Sequence, residues 1–315
     1  MNDPMVIQYR QLGTTDLQVS SIGLGCVTFG REIDEQTSLA ILDRAVERGV
    51  NLLDTAAVYG EGASEEILGR WMGLRATRDR VVLATKVSGL LTRDRVIASA
   101  EASLRRLATD RIDLLQAHDW DNQTPLEETL EAFERLVERG LVRYCGCSNW
   151  DVTQLNRARS LATERNWRPL ASIQPIYNLV DRHIEDGLLE FCSSQRVGVI
   201  SYSPLGAGFL TGKYCRGGSV PTGTRFDVKP AHQDIYFTDR GFQVMESLMS
   251  LTEEAGLPMA RLALAWVLRQ NHVTSVLVGA RNPQHVDQAF EAVEAACSPD
   301  LQGLLERLGS VGGTT

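Results

Sequence analysis

Eight short apolar runs, each followed by a helical pattern, limit the folds open to this chain more than any other feature. Runs of this length between turn signals are typical of buried parallel strands. The first seven begin roughly 30 residues apart, which is the length of one strand–helix–strand step. The sequence therefore predicts a repeated βα unit, with strands at Ser21–Leu24, Asn51–Asp54, Val81–Thr85, Ile112–Ala117, Tyr144–Ser148, Ala171–Gln174, Gly198–Tyr202 and Thr274–Val278.

The segments between these runs carry helix signals. The stretch Asp34–Gly49 has apolar residues on one helical face, and Gly49 suits a left-handed C-terminal position. The motif Thr124-Pro125-Leu126-Glu127 predicts a capping box with proline at the first helical position, and Gly140 would end that helix. The apolar face of the helix between Pro125 and Gly140 would consist of Leu126, Leu130, Phe133 and Val137.

Eight βα steps form either a closed barrel or a doubly wound sheet. A doubly wound dinucleotide-binding domain carries G-x-G-x-x-G after its first strand, and residues 23–28 (Gly-Leu-Gly-Cys-Val-Thr) break that pattern. The sequence therefore predicts a single (β/α)8 TIM barrel over residues 1–315, with residues 310–315 as a disordered tail. Because such a barrel needs about 250 residues, we expect the excess between the last two strands. There the loop Thr211–Gln233 precedes helical patterns near Thr238–Ala255 and Pro258–Gln270.

Composition narrows the class of partner. The 315-residue chain is 43% hydrophobic, which is sufficient for one large core. Its net charge of −8 argues against a nucleic-acid surface, because a polyanion requires a basic face. No segment approaches the roughly 20 apolar residues that span a bilayer, and Met1–Gln11 lacks a signal-peptide core. We therefore expect a cytoplasmic protein that binds neither nucleic acid nor membrane.

The six cysteines are too sparse for a disulfide scaffold in a chain of this length. We interpret them as reduced thiols, and Cys145 and Cys147 alternate as strand residues do. A metal site is the alternative interpretation of that pair. However, no second Cys or His pair stands at ligand spacing, so we expect no metal.

Polar residues at the predicted strand ends are the candidates for catalysis, because the chemistry of a TIM barrel lies at the carboxyl ends of its strands. The second run ends in Asp54, with Tyr59 five residues later, and the next two end in Lys86 and His118. An acid, a phenol, an amine and an imidazole are thus expected to converge from three neighbouring strands. A phenol is a usable proton donor, and an adjacent cation can lower its pKa.

With these residues in place, the sequence resembles the aldo-keto reductases over nearly its whole length. The segments Asp54-Thr55-Ala56, Tyr59-Gly60 and Ala84-Thr85-Lys86, followed by His118, match the catalytic tetrad of that family in type, order and spacing. The match extends from Leu12-Gly13 and Gly23-Leu24-Gly25 to Val278-Gly279-Ala280-Arg281.

The resemblance implies reduction of a carbonyl compound by NADPH, or the reverse oxidation, with NADH also possible. Tyr59 would donate the proton, and Lys86, paired with Asp54, would lower the pKa of the phenol. His118 would donate a hydrogen bond that polarises and orients the substrate oxygen.

The resemblance also implies a set of cofactor-binding residues. Gly25, Cys26 and Val27 would line the ribose and the nicotinamide edge. Ser148, Asn149 and Gln174 would hydrogen-bond the carboxamide, and Tyr202 would stack on the nicotinamide. The pyrophosphate would lie against Ser203, Leu205, Gly208 and Lys213, since small residues let backbone N–H groups approach a phosphate.

The segment after the eighth strand would bind the adenosine half of the cofactor. Gly279 and Arg281 would both bind the cofactor, with Arg281 contacting the 2′-phosphate of NADPH, and Gln284 and Gln288 would lie beside the adenosine. The sequence departs from the family at Ala289, where relatives usually carry an asparagine that contacts adenine.

Two matters stay open at this level. Phe29, Val58, Trp120 and the loop Arg225–Thr238 would wall the substrate pocket, and only Val87–Leu91 separate Lys86 from the third helix. Aliphatic aldehydes, aromatic aldehydes and keto-sugars are all compatible with these residues, and the oligomeric state is unknown.

Two rival functions are a cofactor-binding, redox-sensing regulatory subunit of the same fold and a metal-dependent hydrolase. The hydrolase would need His and acidic ligands on several strands.

Overall fold

The computed structural model describes residues 7–294 and 299–308. Within them, eight parallel strands close into a barrel, and a short antiparallel hairpin precedes it. The strands are β1 (Tyr9–Gln11), β2 (Gln18–Ser20), β3 (Ile22–Gly25), β4 (Leu52–Asp54), β5 (Val82–Val87), β6 (Ile112–Ala117), β7 (Val142–Ser148), β8 (Ser172–Gln174), β9 (Gly198–Ser201) and β10 (Ser275–Gly279).

The barrel consists of β3 to β10 in chain order, and the pairing of β10 with β3 closes it. All eight predicted strands are present, each shifted by no more than two residues at either end. The (β/α)8 prediction is therefore confirmed. Because every strand is parallel, Asp54, Lys86, Ser148 and Gln174 lie at the same rim.

The helices surround the barrel, and the predicted excess lies between β9 and β10. The helices are α1 (Glu35–Glu47), α2 (Ala63–Arg75), α3 (Arg93–Arg106), α4 (Leu126–Glu138), α5 (Val152–Arg165), α6 (Leu188–Gln195), α7 (Arg225–Val228), α8 (Gln233–Tyr236), α9 (Asp239–Ala255), α10 (Met259–Leu268), α11 (Pro283–Glu294) and α12 (Pro299–Arg307). The two helices predicted in the insertion correspond to α9 and α10. In addition, the predicted loop Thr211–Gln233 contains α7, a helix of one turn.

The helix ends follow local chemistry, with one correction. Asp34 caps α1 by accepting from the backbone N–H of Thr37, and Gly49 is left-handed with φ 92°. The capping box predicted at Thr124 is wrong. Helix α4 begins at Leu126 with Pro125 as its N-cap residue, which has no side-chain donor or acceptor to make a capping bond.

The hairpin β1–β2 was missed at the sequence level, because its two strands are only three residues each. It places Leu12, Leu17 and Val19 in the core. These three residues pack with inward side chains of the barrel strands in a separate apolar cluster. The hairpin therefore covers one end of the barrel interior with apolar side chains. Cys297 and the predicted tail at residues 310–315 lie outside the described residues.

An aromatic cluster supports the insertion after β9. Phe209 contacts Tyr214, Phe226, Tyr236, Phe237 and Phe242, with ring centroids 5.4 to 6.4 Å apart. Aromatic pairs at such distances bury large areas in well-defined orientations. The cluster thus anchors the loop that forms one side of the barrel mouth. None of the helices in the described part of the chain is long and apolar enough to cross a membrane.

Candidate active site

The centre of the site is an ion pair inside the barrel rim. Lys86 Nζ lies 2.5 Å from Asp54 Oδ2, and the two side chains are 0% and 3% exposed. Lys86 also donates to the backbone carbonyl of Thr55 at 2.9 Å. Burial lowers the pKa of the Lys86 ammonium, but the charges and hydrogen bonds of Asp54 and Tyr59 together outweigh burial and raise that pKa. Lys86 is therefore a charged group at neutral pH.

The second oxygen of Asp54 is held by two amides. Gln174 Nε2 donates to Asp54 Oδ1 at 2.8 Å, and Gln116 Nε2 donates to the same oxygen at 3.3 Å. These three residues come from alternate barrel strands, as the members of one interior layer do. Gln116 was not among the predicted site residues, although a glutamine inside the apolar strand run is its signal. Gln174 was predicted to bind the carboxamide, whereas here its amide nitrogen donates to Asp54.

Tyr59 lies on the turn that follows β4. Its backbone N–H donates to the Ala56 carbonyl, and Lys86 Nζ approaches its hydroxyl oxygen at 3.4 Å. Lys86 acts on the pKa of the Tyr59 phenol in the expected direction, but the net shift is opposite. Burial raises the pKa of the Tyr59 phenol, and the Lys86 cation opposes this rise without cancelling it. The phenol is consequently protonated over the whole neutral range.

His118 completes the group of four. Its ring lies edge-on to the ring of Tyr59, with centroids 5.9 Å apart. Its Nδ1 is 2.8 Å from the Ser88 hydroxyl, a contact that no sequence motif predicts. Burial and the Lys86 cation lower the pKa of His118, so the imidazole is neutral near pH 7. The predicted convergence of Asp54, Tyr59, Lys86 and His118 is thus present.

A second network joins the residues assigned to the nicotinamide end. Tyr202 donates to Asn149 Oδ1 at 3.0 Å, and Asn149 Nδ2 donates to Asp119 Oδ1 at 2.9 Å. Asn149 has a left-handed backbone with φ 60°. Ser148 donates to the Gln174 carbonyl at 2.7 Å. The two side chains predicted to bind the carboxamide from β7 are therefore engaged within the protein.

The loop after β9 turns repeatedly through left-handed backbone. Ser203, Gly206, Ala207 and Gly208 have φ values of 55°, 56°, 54° and 93°. Non-glycine residues in this region store strain, which is common at ligand sites. A Cβ on Gly208 would lie 3.1 Å from Lys213 Nζ. Leu205, also assigned to this site, is partly buried. The loop therefore places Lys213 against bare backbone, as an anion cradle requires.

Several cations gather beside this loop. Arg281 donates to the Gly223 carbonyl at 3.0 Å, and Arg225 donates to Glu32 at 3.2 Å. Burial and the charge of Arg281 lower the pKa of Lys213. Burial and neighbouring arginines also lower the pKa of Arg225. Mutual repulsion among these cations is relieved by an anion, so the cluster fits the phosphates of a dinucleotide.

The residues assigned to adenosine lie on α11. Gln284 and Gln288 are exposed, whereas Ala289 is 1% exposed and belongs to the core. Gly279, at the end of β10, is also exposed. Relatives usually carry an asparagine amide at position 289. In this chain the methyl group of Ala289 packs against apolar neighbours instead.

The residues after β3 that were assigned to the cofactor and to the substrate pocket differ in their exposure. Gly25 and Val27 are partly exposed, whereas Cys26 and Phe29 are 0% exposed. The ring of Phe29 consequently lies in the core and not on an open pocket wall, which corrects that assignment. The Cys26 side chain is likewise enclosed, because Cys26 Sγ points to the Leu24 carbonyl at 3.7 Å.

Accessible apolar side chains lie at the barrel rim, on the loops that follow β4, β5 and β6. Val58 is 52% exposed and Leu90 is 36% exposed, and Trp120 packs edge-on against Trp150. Asp121 accepts from the backbone N–H of Leu91, which ties two of these loops together. Val58 and Trp120 were predicted pocket residues. Leu90 was not, because apolar residues in a short loop carry no recognisable motif.

No cluster of metal-ligating side chains occurs among residues 7–294 and 299–308. Cys145 and Cys147 are both buried free thiols. Burial raises the pKa of both thiols, which disfavours the thiolates that a metal binds.

Comparison with known proteins agrees with this architecture. The family model for the Aldo/keto reductase family matches residues 21–308. The chain is 32% identical over 305 residues to a "Probable voltage-gated potassium channel subunit beta" of Arabidopsis thaliana, covering 91% of this chain and 92% of that protein. It is 33% identical over 318 residues to the "Uncharacterized oxidoreductase YrpG" of Bacillus subtilis, covering 95% of each chain. It is 30% identical over 342 residues to "Protein tas" of Escherichia coli, covering 97% of this chain and 98% of that one.

The fold and the site thus define a TIM barrel of the oxidoreductase kind. The chain belongs to the aldo/keto reductase family. Membership supports oxidoreduction with a nicotinamide cofactor in general.

Proposed function

We propose that this protein reduces an aldehyde or ketone to an alcohol with NADPH, or catalyses the reverse oxidation. The observation that carries the proposal is the contact between Lys86 Nζ and the Tyr59 hydroxyl at 3.4 Å, on an ammonium that Asp54 keeps charged. The fully buried Lys86 has the Asp54 carboxylate as its ion-pair partner and the Tyr59 phenol as its neighbour, and this arrangement fits proton transfer. The buried free thiols support a reducing compartment, and we propose the cytoplasm.

The chemistry requires a hydride on carbon and a proton on oxygen. The nicotinamide, when bound, supplies the hydride. The Tyr59 hydroxyl donates its proton to the substrate oxygen, and the Lys86 ammonium stabilises the phenolate that remains. His118, neutral by virtue of its lowered pKa, orients the same oxygen by donating a hydrogen bond. The buried Asp54 carboxylate pairs with Lys86 and accepts hydrogen bonds from two amides, so the charge of the lysine at the reacting centre is balanced.

The cofactor would be held along one side of the barrel mouth. Tyr202 and Asn149 would meet its nicotinamide end, and the turns from Ser203 to Gly208 with Lys213 would hold the pyrophosphate. Arg281 would pair with the 2′-phosphate, which favours NADPH over NADH. The cation cluster around Lys213 supports this assignment, because burial and neighbouring cations lower the pKa of Lys213 and Arg225 and a bound anion would relieve the repulsion between the cations.

The substrate class follows from the rim. Val58 and Leu90 are exposed and Trp120 is partly exposed, on the loops that follow β4, β5 and β6, and each is close in sequence to Tyr59, Lys86 or His118. Exposed large apolar side chains gathered at one site indicate apolar ligand contact. We therefore propose aliphatic or aromatic aldehydes as better substrates than keto-sugars of similar size.

The test is a panel of carbonyl compounds and alcohols with each cofactor, followed by the absorbance of NADPH. Turnover of an apolar aldehyde that is lost in Tyr59→Phe supports the proposal. Absence of turnover across the panel, with NADPH still bound, would overturn the catalytic assignment.

A second candidate is a cofactor-binding regulatory subunit. It is favoured by the similarity to proteins named as probable potassium-channel β subunits in Arabidopsis thaliana and Oryza sativa. The two candidates differ in turnover, since a sensor needs cofactor binding alone. Tight NADPH binding without reduction of any reactive aldehyde would favour the sensor.

A further inference from the structure

Ser88 and His118 form a contact that the reaction outlined above does not use. Strand β5 ends at Val87, one residue after Lys86, and the hydroxyl of the partly buried Ser88 lies 2.8 Å from His118 Nδ1. The backbone N–H of His118 donates to the Val87 carbonyl at 2.9 Å. Two consecutive residues of β5 and its loop therefore hold both the main chain and the ring of His118.

A neutral imidazole carries one N–H, on Nδ1 or on Nε2, and its hydrogen bonds decide which. Burial and Lys86 keep this ring neutral by lowering its pKa. A serine hydroxyl is both donor and acceptor, so the Ser88 contact is compatible with either tautomer taken alone. The two tautomers differ in what the other ring nitrogen offers to a substrate.

A carbonyl oxygen distinguishes between them. If the Ser88 hydroxyl donates to Nδ1, then Nε2 carries the proton and can donate to the substrate oxygen. If Nδ1 carries the proton, Nε2 presents a lone pair to a group that has only lone pairs. Among the residues described, Ser88 Oγ has no other hydrogen-bond partner, so its proton is available to Nδ1.

We propose that Ser88 is a positioning residue that donates to His118 Nδ1 and thereby selects the Nε2–H tautomer that binds the substrate oxygen. The inference rests on the proposed carbonyl reduction for its purpose, but the tautomer itself is a property of the protein without substrate. Ser88 acts through His118 and does not touch the reacting atoms.

The direct test is the magnetic resonance of the histidine ring nitrogens in a sample with isotope-labelled histidine. The chain has five histidines, and His118→Asn assigns the relevant signals by removing them. We expect wild-type His118 to show a protonated Nε2 and an unprotonated Nδ1. Ser88→Ala should give a mixture of tautomers, and Ser88→Thr, which keeps the hydroxyl, should restore the wild-type pattern.

Kinetics supply the second measurement. Ser88→Ala should lower kcat/KM for an apolar aldehyde by up to about tenfold, the worth of one hydrogen bond. The loss should fall on kcat, the dissociation constant for NADPH should be unchanged, and Ser88→Thr should recover most of the rate. A merely structural role would weaken cofactor binding and stability together.

Two results would overturn the inference. One is a wild-type His118 with the proton on Nδ1. The other is a Ser88→Ala variant that keeps the Nε2–H tautomer and wild-type kcat. The resonance result stands whether or not the protein turns over a carbonyl, so failure of the proposed function is distinguishable from failure of this assignment.

Discussion

Lys86 Nζ and Asp54 Oδ2 lie 2.5 Å apart inside the barrel rim, with the lysine side chain wholly removed from solvent. Such a pair contributes little when intact, but removal of one partner leaves an uncompensated buried charge. The pair therefore ties the stability of the barrel to the electrostatics of its reacting centre.

Asp54→Asn should lower the free energy of unfolding by about 3 kcal/mol, because the Lys86 ammonium would lose its counter-ion in a dry environment. Urea denaturation followed by tryptophan fluorescence measures the change. Asp79→Asn is the matched control, because Asp79 also pairs with a cation, Arg111, but its side chain is 87% exposed. That variant should unfold like the wild type. Equal losses in both variants would contradict the special role of the buried pair.

Tyr59→Phe should remove nearly all carbonyl reduction while NADPH still binds. Loss of a positioned acid lowers the rate by about 10² to 10⁴, and the ring and its packing against His118 are kept. Steady-state kinetics together with fluorescence titration of NADPH separate the two effects. A variant that keeps more than about a tenth of kcat, with chemistry rate-limiting, would show that Tyr59 is not the proton donor.

Lys86→Met should also abolish turnover, and its loss should not add to that of Tyr59→Phe. Because the ammonium acts through the phenol 3.4 Å away, the double variant should resemble the slower single variant. The measurement is a double-mutant cycle on kcat/KM. Strictly additive losses would assign Lys86 a task independent of Tyr59.

The raised pKa of Tyr59 fixes the sign of the pH dependence. The proton donor is the protonated phenol, and a raised pKa extends that form to higher pH. Carbonyl reduction should therefore stay level across the neutral range and decline only above about pH 10, the ordinary pKa of tyrosine. Alcohol oxidation needs the phenolate, so its rate should rise as the pH increases from the neutral range towards about 10. A reduction rate that halves between about pH 7 and 8 would assign the proton donor to a different group.

Arg281→Ala should weaken NADPH binding by roughly ten- to a hundredfold and leave NADH nearly unchanged, since only NADPH carries the 2′-phosphate. Lys213→Ala is the contrasting variant, because a pyrophosphate contact is common to both cofactors and both should be weakened. Fluorescence titration of the two cofactors decides the matter. Arg281 also donates to the Gly223 carbonyl, so equal losses for NADPH and NADH would instead make it an anchor of that loop.

The barrel was readable from the sequence because its signals are local. Apolar runs such as Ile112–Ala117 follow from burial on both faces of a parallel strand, and the repeat of roughly 30 residues reflects one helix per strand. The order Asp54, Tyr59, Lys86, His118 could be placed for the same reason, since a parallel barrel brings every strand end to one rim. The hairpin β1–β2 escaped because its strands are too short to show a period.

What only the tertiary structure decided depends on contacts between strands distant in the sequence. Gln174 donates to Asp54 across the barrel interior, 120 residues away in the chain. No spacing rule predicts that pairing, because the choice of hydrogen-bond partner depends on which side chains share an interior layer. Burial likewise set the direction of the pKa of Tyr59, since desolvation outweighed a cation whose presence the sequence did predict. Sequence therefore determined which groups reach the rim, and the three-dimensional packing determined their protonation and their partners.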